Sequence, residues 1–157
     1  MKLYIEQRIF TFGSKFDVWN EDGEIRYKVE GEIFTLGKKL HIYDSEGEEV
    51  AYVQQKLMSF LPKYFVFVGQ DQVATIVKEF TFMRPQYHIE GTSWRVDGDF
   101  LGHDYSILDG DTTIAYLHKK WMSWGDCFEI EYDDAADEKM LLAVILAIDA
   151  VIDDNSD

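Results

Sequence analysis

Four histidines (His41, His88, His103 and His118), a single cysteine (Cys127) and a surplus of carboxylates are the side chains through which this chain could do chemistry. A zinc site on a helix sets two histidines at i and i+4, and none of the four has that spacing. Cys127 has no ligand-type neighbour either. His103-Asp104 has the form of an orienting pair, in which a carboxylate fixes one imidazole tautomer, and equally of an ordinary strand start. Cys127 with a distant histidine could serve as nucleophile and base. It stands between Asp126 and Phe128 in an acidic strand, where a thiol pKa rises, so a structural role is expected. Asp97 with Asp99 and Asp109 with Asp111 hold fragments of a calcium loop, and hairpin turns account for both. Asp149 interrupts an apolar run. In a dry interior it must be paired or near an opening, with Lys56, Lys120 and Arg84 as candidate partners. These residues assemble no catalytic site and no metal or cofactor site, and none is expected.

The elements that must position them divide sharply at residue 133. Residues 138–152, EKMLLAVILAIDAVI, form about four helical turns that are apolar on every side. At 1.5 Å per residue they span roughly 22 Å, short of the ~30 Å hydrocarbon core. Acidic residues flank both ends, and the basic anchors of an inserted helix are missing. The protein is expected to bury this helix itself. Asp134, followed by Asp137, offers an N-cap and a first-turn acid.

Upstream, nearly everything alternates with period two. Ile25, Tyr27 and Val29 point one way, Glu24, Arg26, Lys28 and Glu30 the other. Similar runs near 3–9, 15–19, 39–43, 49–56, 64–68, 73–79, 86–90, 94–97, 103–108, 112–119 and 127–132 predict about a dozen strands separated by Gly- and Asp-rich turns. A sheet of that size curls or closes, which removes its edges. A closed barrel with an apolar lumen is the natural enclosure for an all-apolar helix, in one domain over residues 1–157.

An internal repeat supports closure by two halves. Residues 51–60, AYVQQKLMSF, match 115–124, AYLHKKWMSW, and Tyr27-Lys28-Val29-Glu30-Gly31 matches Tyr87-His88-Ile89-Glu90-Gly91. Two copies offset by about sixty residues mean pseudo-symmetric halves, not a solenoid. Each repeat ends in large apolar groups after a strand. Phe60, Leu61, Trp121 and Trp124 are therefore the candidate contact surface. The competing expectation, and the favoured one, is that they fold back as caps over the barrel ends. It applies above all to Trp121, whose repeat mate Leu57 is aliphatic.

The chain resembles the LURP-one-related family, related in fold to the tubby C-terminal domain and the phospholipid scramblases. The matching pieces are Tyr-X-Val-Glu-Gly at 27–31, Gln55-Lys56-Leu57, Phe80-Thr81-Phe82, Gly98-Asp99-Phe100-Leu101-Gly102-His103-Asp104-Tyr105, Lys120-Trp121-X-Ser123-Trp124 and Ala147-Ile148-Asp149-Ala150. The resemblance covers essentially the whole chain and is to the bacterial type of member. It implies a twelve-stranded barrel around a central C-terminal helix, with no settled biochemical role. Plant relatives are associated with defence, tubby domains with phosphoinositides and scramblases with lipid movement. This chain departs from those lipid-linked relatives in lacking a basic cluster, a polybasic tail and a cysteine-rich segment.

Composition narrows the function. The formal net charge is −15: residues 1–132 carry 14 basic and 22 acidic side chains, and residues 133–157 one basic and eight acidic. Nucleic acid and anionic membranes need a basic face, so neither is an expected partner. With one cysteine and an N-terminus that turns acidic within six residues, a cytoplasmic protein without a signal peptide or transmembrane segment is expected. A non-catalytic scaffold or adaptor with a protein partner fits best. A lipid- or hydrophobic-ligand-associated module is the alternative, and an enzyme a distant third, because the helix fills the place where a small-molecule site would form.

Overall fold

The period-two runs resolve into twelve antiparallel strands that close on themselves. The computed structural model describes residues 1–6, 15–32, 37–79, 86–123 and 125–154. The strands are β1 (Lys2–Glu6), β2 (Lys15–Trp19), β3 (Ile25–Glu32), β4 (Lys39–Asp44), β5 (Glu49–Gln55), β6 (Lys63–Val68), β7 (Asp71–Glu79), β8 (Gln86–Glu90), β9 (Trp94–Asp99), β10 (Asp104–Asp109), β11 (Thr112–Met122) and β12 (Gly125–Tyr132), followed by the helix α1 (Glu138–Asp154). Each strand pairs with its sequence neighbours, and β1 closes the ring against β12, Leu3 opposite Ile130 and Ile5 opposite Phe128. The repeated segments lie in β5 and β11, on opposite sides of the ring.

Alternation fixes which side chains face the lumen. Phe16 and Val18, Tyr27 and Val29, Leu40 and Ile42, and Ala51 and Val53 are buried inward from successive strands, with charged or polar residues between them. They enclose α1, in which no residue from Leu141 to Ile148 is more than 2% exposed. The helix therefore needs no amphipathic face: the wall covers it on all sides. No helix among the described residues is long and apolar enough to cross a membrane.

Two local expectations shift. The helix is capped by Asp137, not Asp134: the Asp137 side chain accepts from the Met140 amide at 3.1 Å and its carbonyl from the Leu141 amide at 2.8 Å. Asp97-Gly98-Asp99 is the end of β9, not a turn. A Cβ on Gly98, whose φ is +126°, would lie 2.8 Å from the Asp104 carbonyl oxygen and 2.9 Å from the Tyr105 Cα, so glycine there serves a close strand approach. Asp109-Gly110-Asp111 does form the β10–β11 turn.

Because every strand reverses, the connections fall alternately at the two ends. One end carries 20–24, 45–48, 69–70, 91–93, 110–111 and 133–137. The described residues of the other are 37–38, 56–62, 100–103 and 123. The helix enters at the first end and runs toward the second.

Leu142→Asp or Ile145→Asp places a charge in the filled lumen at a cost of several kcal/mol, against a total stability of about 5–15 kcal/mol. The expected outcome is loss of the cooperative thermal transition in circular dichroism. A melt close to the parent's contradicts the enclosed helix.

Candidate functional site

Each end of the helix is tied to the wall by a polar cluster. At the entry, the Tyr27 hydroxyl donates to Glu138 Oε1 at 2.5 Å, the Tyr132 hydroxyl donates to Oε2, and Arg26 Nε pairs with Oε1 at 2.7 Å. Burial alone would raise the Glu138 carboxyl. The hydrogen bonds from Arg26, Tyr132 and Tyr27, with the Arg26 charge, outweigh it and hold the carboxyl below its ordinary value.

Toward the exit, Asp149, 8% exposed, pairs with His103 Nε2 at 2.7 Å, and the His103 ring stacks on Phe128 with centroids 4.7 Å apart. His103 holds this position with a φ of +55°. The Tyr105 hydroxyl is fully buried without a hydrogen-bond partner among the described residues, and burial, then the Asp149 charge, raise its phenol well above the ordinary value. The pairing corrects two expectations. Asp104 is not the orienting partner of His103, since it accepts from the Tyr116 hydroxyl at 2.5 Å. Of the cations proposed for Asp149, Lys120 is bound to Glu129 at 2.7 Å, Lys56 is exposed, and Arg84 lies outside the described residues. The partner came from a loop histidine far away in sequence.

The outer wall has its own buried polar group. Glu129, 1% exposed, takes Lys120 at 2.7 Å, His118 at 3.4 Å and Lys2 at 3.5 Å. Burial opposes its ionisation, but the Lys120 hydrogen bond, a bond with Glu131 and the Lys120 and Lys2 charges hold its carboxyl down at about 2. His118, Glu129 and Glu131 bring ligand-type atoms within 4.8 Å of one another, a grouping the sequence did not suggest. Two lysines already neutralise that carboxylate. Two residues before Glu129 on β12 and opposite Lys120, Cys127 is fully buried; burial, then the Glu129 charge, push its thiol up to about 11. On the far side His41 lies between Glu32 at 3.0 Å and Glu49 at 2.7 Å. With Tyr52 and Phe67 it lines an open depression of about 650 Å³ on the wall.

The predicted contact residues collect at the exit end. Phe60 is 95% exposed, Met58 fully exposed, Trp121 73%, Leu101 57% and Leu57 47% exposed, and Leu61 is half-buried. Trp124 lies outside the described residues. The expectation that Trp121 caps the barrel is overturned. It shares the inward parity of Ala115 and Leu117, but β11 runs past the rim, and Lys119 on the same parity is exposed as well. Leu57, its repeat mate, lies in the connection after β5 and not on an overhanging strand. Met58, at a φ of +59°, turns its side chain fully outward. Leu101 carried no signal beyond its place in the β9–β10 connection.

Residues 1–149 match the model of the family described as LURP-one-related. The chain is 32% identical to the uncharacterized protein YxjI of Bacillus subtilis (strain 168) over all 157 residues, covering 97% of that protein. Its fold is similar to the X-ray structure of a protein from Arabidopsis thaliana, with a TM-score of 0.64 at 17% identity over 99% of this chain and 92% of that one.

Two outcomes follow from these clusters. Glu138 has a depressed folded-state pKa, so its contribution is complete above the ordinary carboxylate value of 4.5 and is lost as pH falls through the folded value. Glu138→Gln should cost about 1–3 kcal/mol at pH 7 in urea denaturation, and the gap to the parent should narrow below pH ~4. Cys127 should resist a thiol reagent at pH ~8 in the folded protein and react fully in denaturant. Rapid labelling of the native protein contradicts its burial.

Proposed function

The chain belongs to the LURP-one-related family, and from that premise we propose that it is a non-catalytic interaction domain, a scaffold or adaptor that works through the loops at the exit end of its barrel. One observation carries the reading: of the seven large apolar residues exposed among the described ones, Leu57, Met58, Phe60, Leu101 and Trp121 share that end, while the lumen is filled by α1. A group of exposed apolar side chains is a contact site in want of a partner. The polar clusters around Glu138, Asp149 and Glu129 support the same reading, because their partners are committed to holding the helix and the wall. The single buried thiol suits a reducing cytoplasm.

A photo-crosslinking residue in place of Phe60 or Trp121 should capture a partner in living cells. The same residue in place of Glu46, in a turn at the other end, should capture little. Phe60→Ser and Trp121→Ser should each change stability by no more than about 0.5 kcal/mol, as exposed positions do. Adducts formed equally at Glu46, or a large loss of stability on removing Trp121, would sink the proposal.

A further inference from the structure

Resting on the interaction-domain reading, we infer that the apolar rim docks end-on against a zwitterionic lipid bilayer, with Leu57, Met58, Phe60, Leu101 and Trp121 entering its interfacial layer. The first argument is the shape of the contact. In the ring the β5–β6 and β11–β12 hairpins face each other with four strands between them on either side, and the β9–β10 connection that carries Leu101 lies between them. Twelve strands spaced about 4.8 Å apart make a barrel roughly 20 Å across. Among the described residues, apolar tips set on opposite sides of that mouth line no groove for a peptide. A partner that touches all three must present a continuous face as wide as the barrel.

The second argument is the chemistry of the tips. Met58 and Phe60 are almost wholly exposed, so their apolar surface is free to enter another phase. Trp, Phe, Leu and Met are the types that settle at the boundary of headgroups and acyl chains. A lysine stands near each hairpin tip, Lys56 next to Leu57 and the exposed Lys119 two residues before Trp121, where a long stem can lie along an apolar surface while the ammonium stays in water.

The third argument is charge. The described connection residues at this end include Lys38 and Lys56 and no carboxylate, and the adjoining strand ends add Asp99, Asp104 and Asp126, the last opposite Trp121. The connections at the opposite end carry Glu21, Asp22, Glu24, Glu46, Glu48, Asp111, Asp133, Asp134 and Asp137 and no lysine or arginine. End-on approach keeps those nine acids as far from the bilayer as the molecule allows. A net charge of −15 still opposes an anionic surface at long range, so apolar insertion must supply the driving force, which selects neutral headgroups.

The test is partitioning onto phosphatidylcholine vesicles. The unaltered protein should co-sediment with them to the same extent at about 0.05 and 0.5 M NaCl, since apolar burial is not screened as charge is. Phe60→Ser and Trp121→Ser should each weaken binding by roughly tenfold with unchanged melts. A protein whose only tryptophan is Trp121 should blue-shift on vesicle addition and be quenched by brominated lipid. One that keeps only Trp94, which opens β9 at the opposite end, should do neither. Binding that requires phosphatidylserine and vanishes in salt overturns the inference. So does absence of binding to any vesicle. In that case protein adducts from the Phe60 crosslinker would leave the interaction-domain reading standing, whereas no adduct at either rim position would remove both.

Discussion

A helix without a wet face has to be surrounded, and the rest of this structure follows from that requirement. An α-helix with its side chains is about 10–12 Å across. A ring of twelve strands is roughly 20 Å across, which leaves about one layer of inward side chains between wall and helix. Eight strands would fill with their own side chains, and a much wider ring would leave voids. Strand number, lumen composition and helix composition are thus one constraint seen three ways. The inward residues of β1 to β12 are correspondingly aliphatic or aromatic, from Leu3 to Tyr132.

Enclosure transfers the polar problem to the ends. The helix begins with Glu138, in the favourable sense for its dipole, but its last turn contains no basic residue and Asp149 precedes it. Intrinsic helical electrostatics therefore help at one end only. At the entry two tyrosines and an arginine fasten Glu138; toward the exit His103, held in a left-handed conformation and stacked on Phe128, meets Asp149. The contacts of Tyr27 and Arg26 with Glu138 and of His103 with Asp149 join residues more than 40 positions apart; the His103–Phe128 stack spans 25 positions and Tyr132 to Glu138 only six. Their effect is to fix how far the helix is inserted, which uniform apolar packing alone would leave weakly specified.

The strands, the helix and their enclosure were legible because each leaves a periodic trace: period two from 2 to 132, and apolar residues on all sides from 140 to 152. Three things left no such trace. The partner of Asp149 depends on which loop arches over the helix end, and no local pattern encodes that. Asp97-Gly98-Asp99 looks like a turn, yet Gly98 is required by the backbone of Tyr105 on the next strand. Trp121 has the parity of an interior residue, but parity gives the face of a strand and not the height at which the wall stops. Lys119, on the same face, was the available sign that the lumen had already ended.

The same geometry explains why charge counted along the chain concealed the polarity of the molecule. An antiparallel ring sends successive connections to opposite ends, so acidic turns and apolar loops alternate in sequence and average out in any window longer than a hairpin. Folding sorts them. Glu21, Asp22, Glu46 and Glu48 gather at one mouth, and Leu57, Phe60 and Trp121 at the other. A barrel whose lumen is occupied has only its wall and its rims left for recognition. Much of the wall is tied up in cross-strand ion pairs such as Lys120 with Glu129. The exit rim is the place where apolar surface has been left out of the core: Trp121 near the end of β11, and Leu57, Met58, Phe60 and Leu101 in the connections. Side chains this exposed contribute little to folding, so packing in the lumen does not account for where they stand.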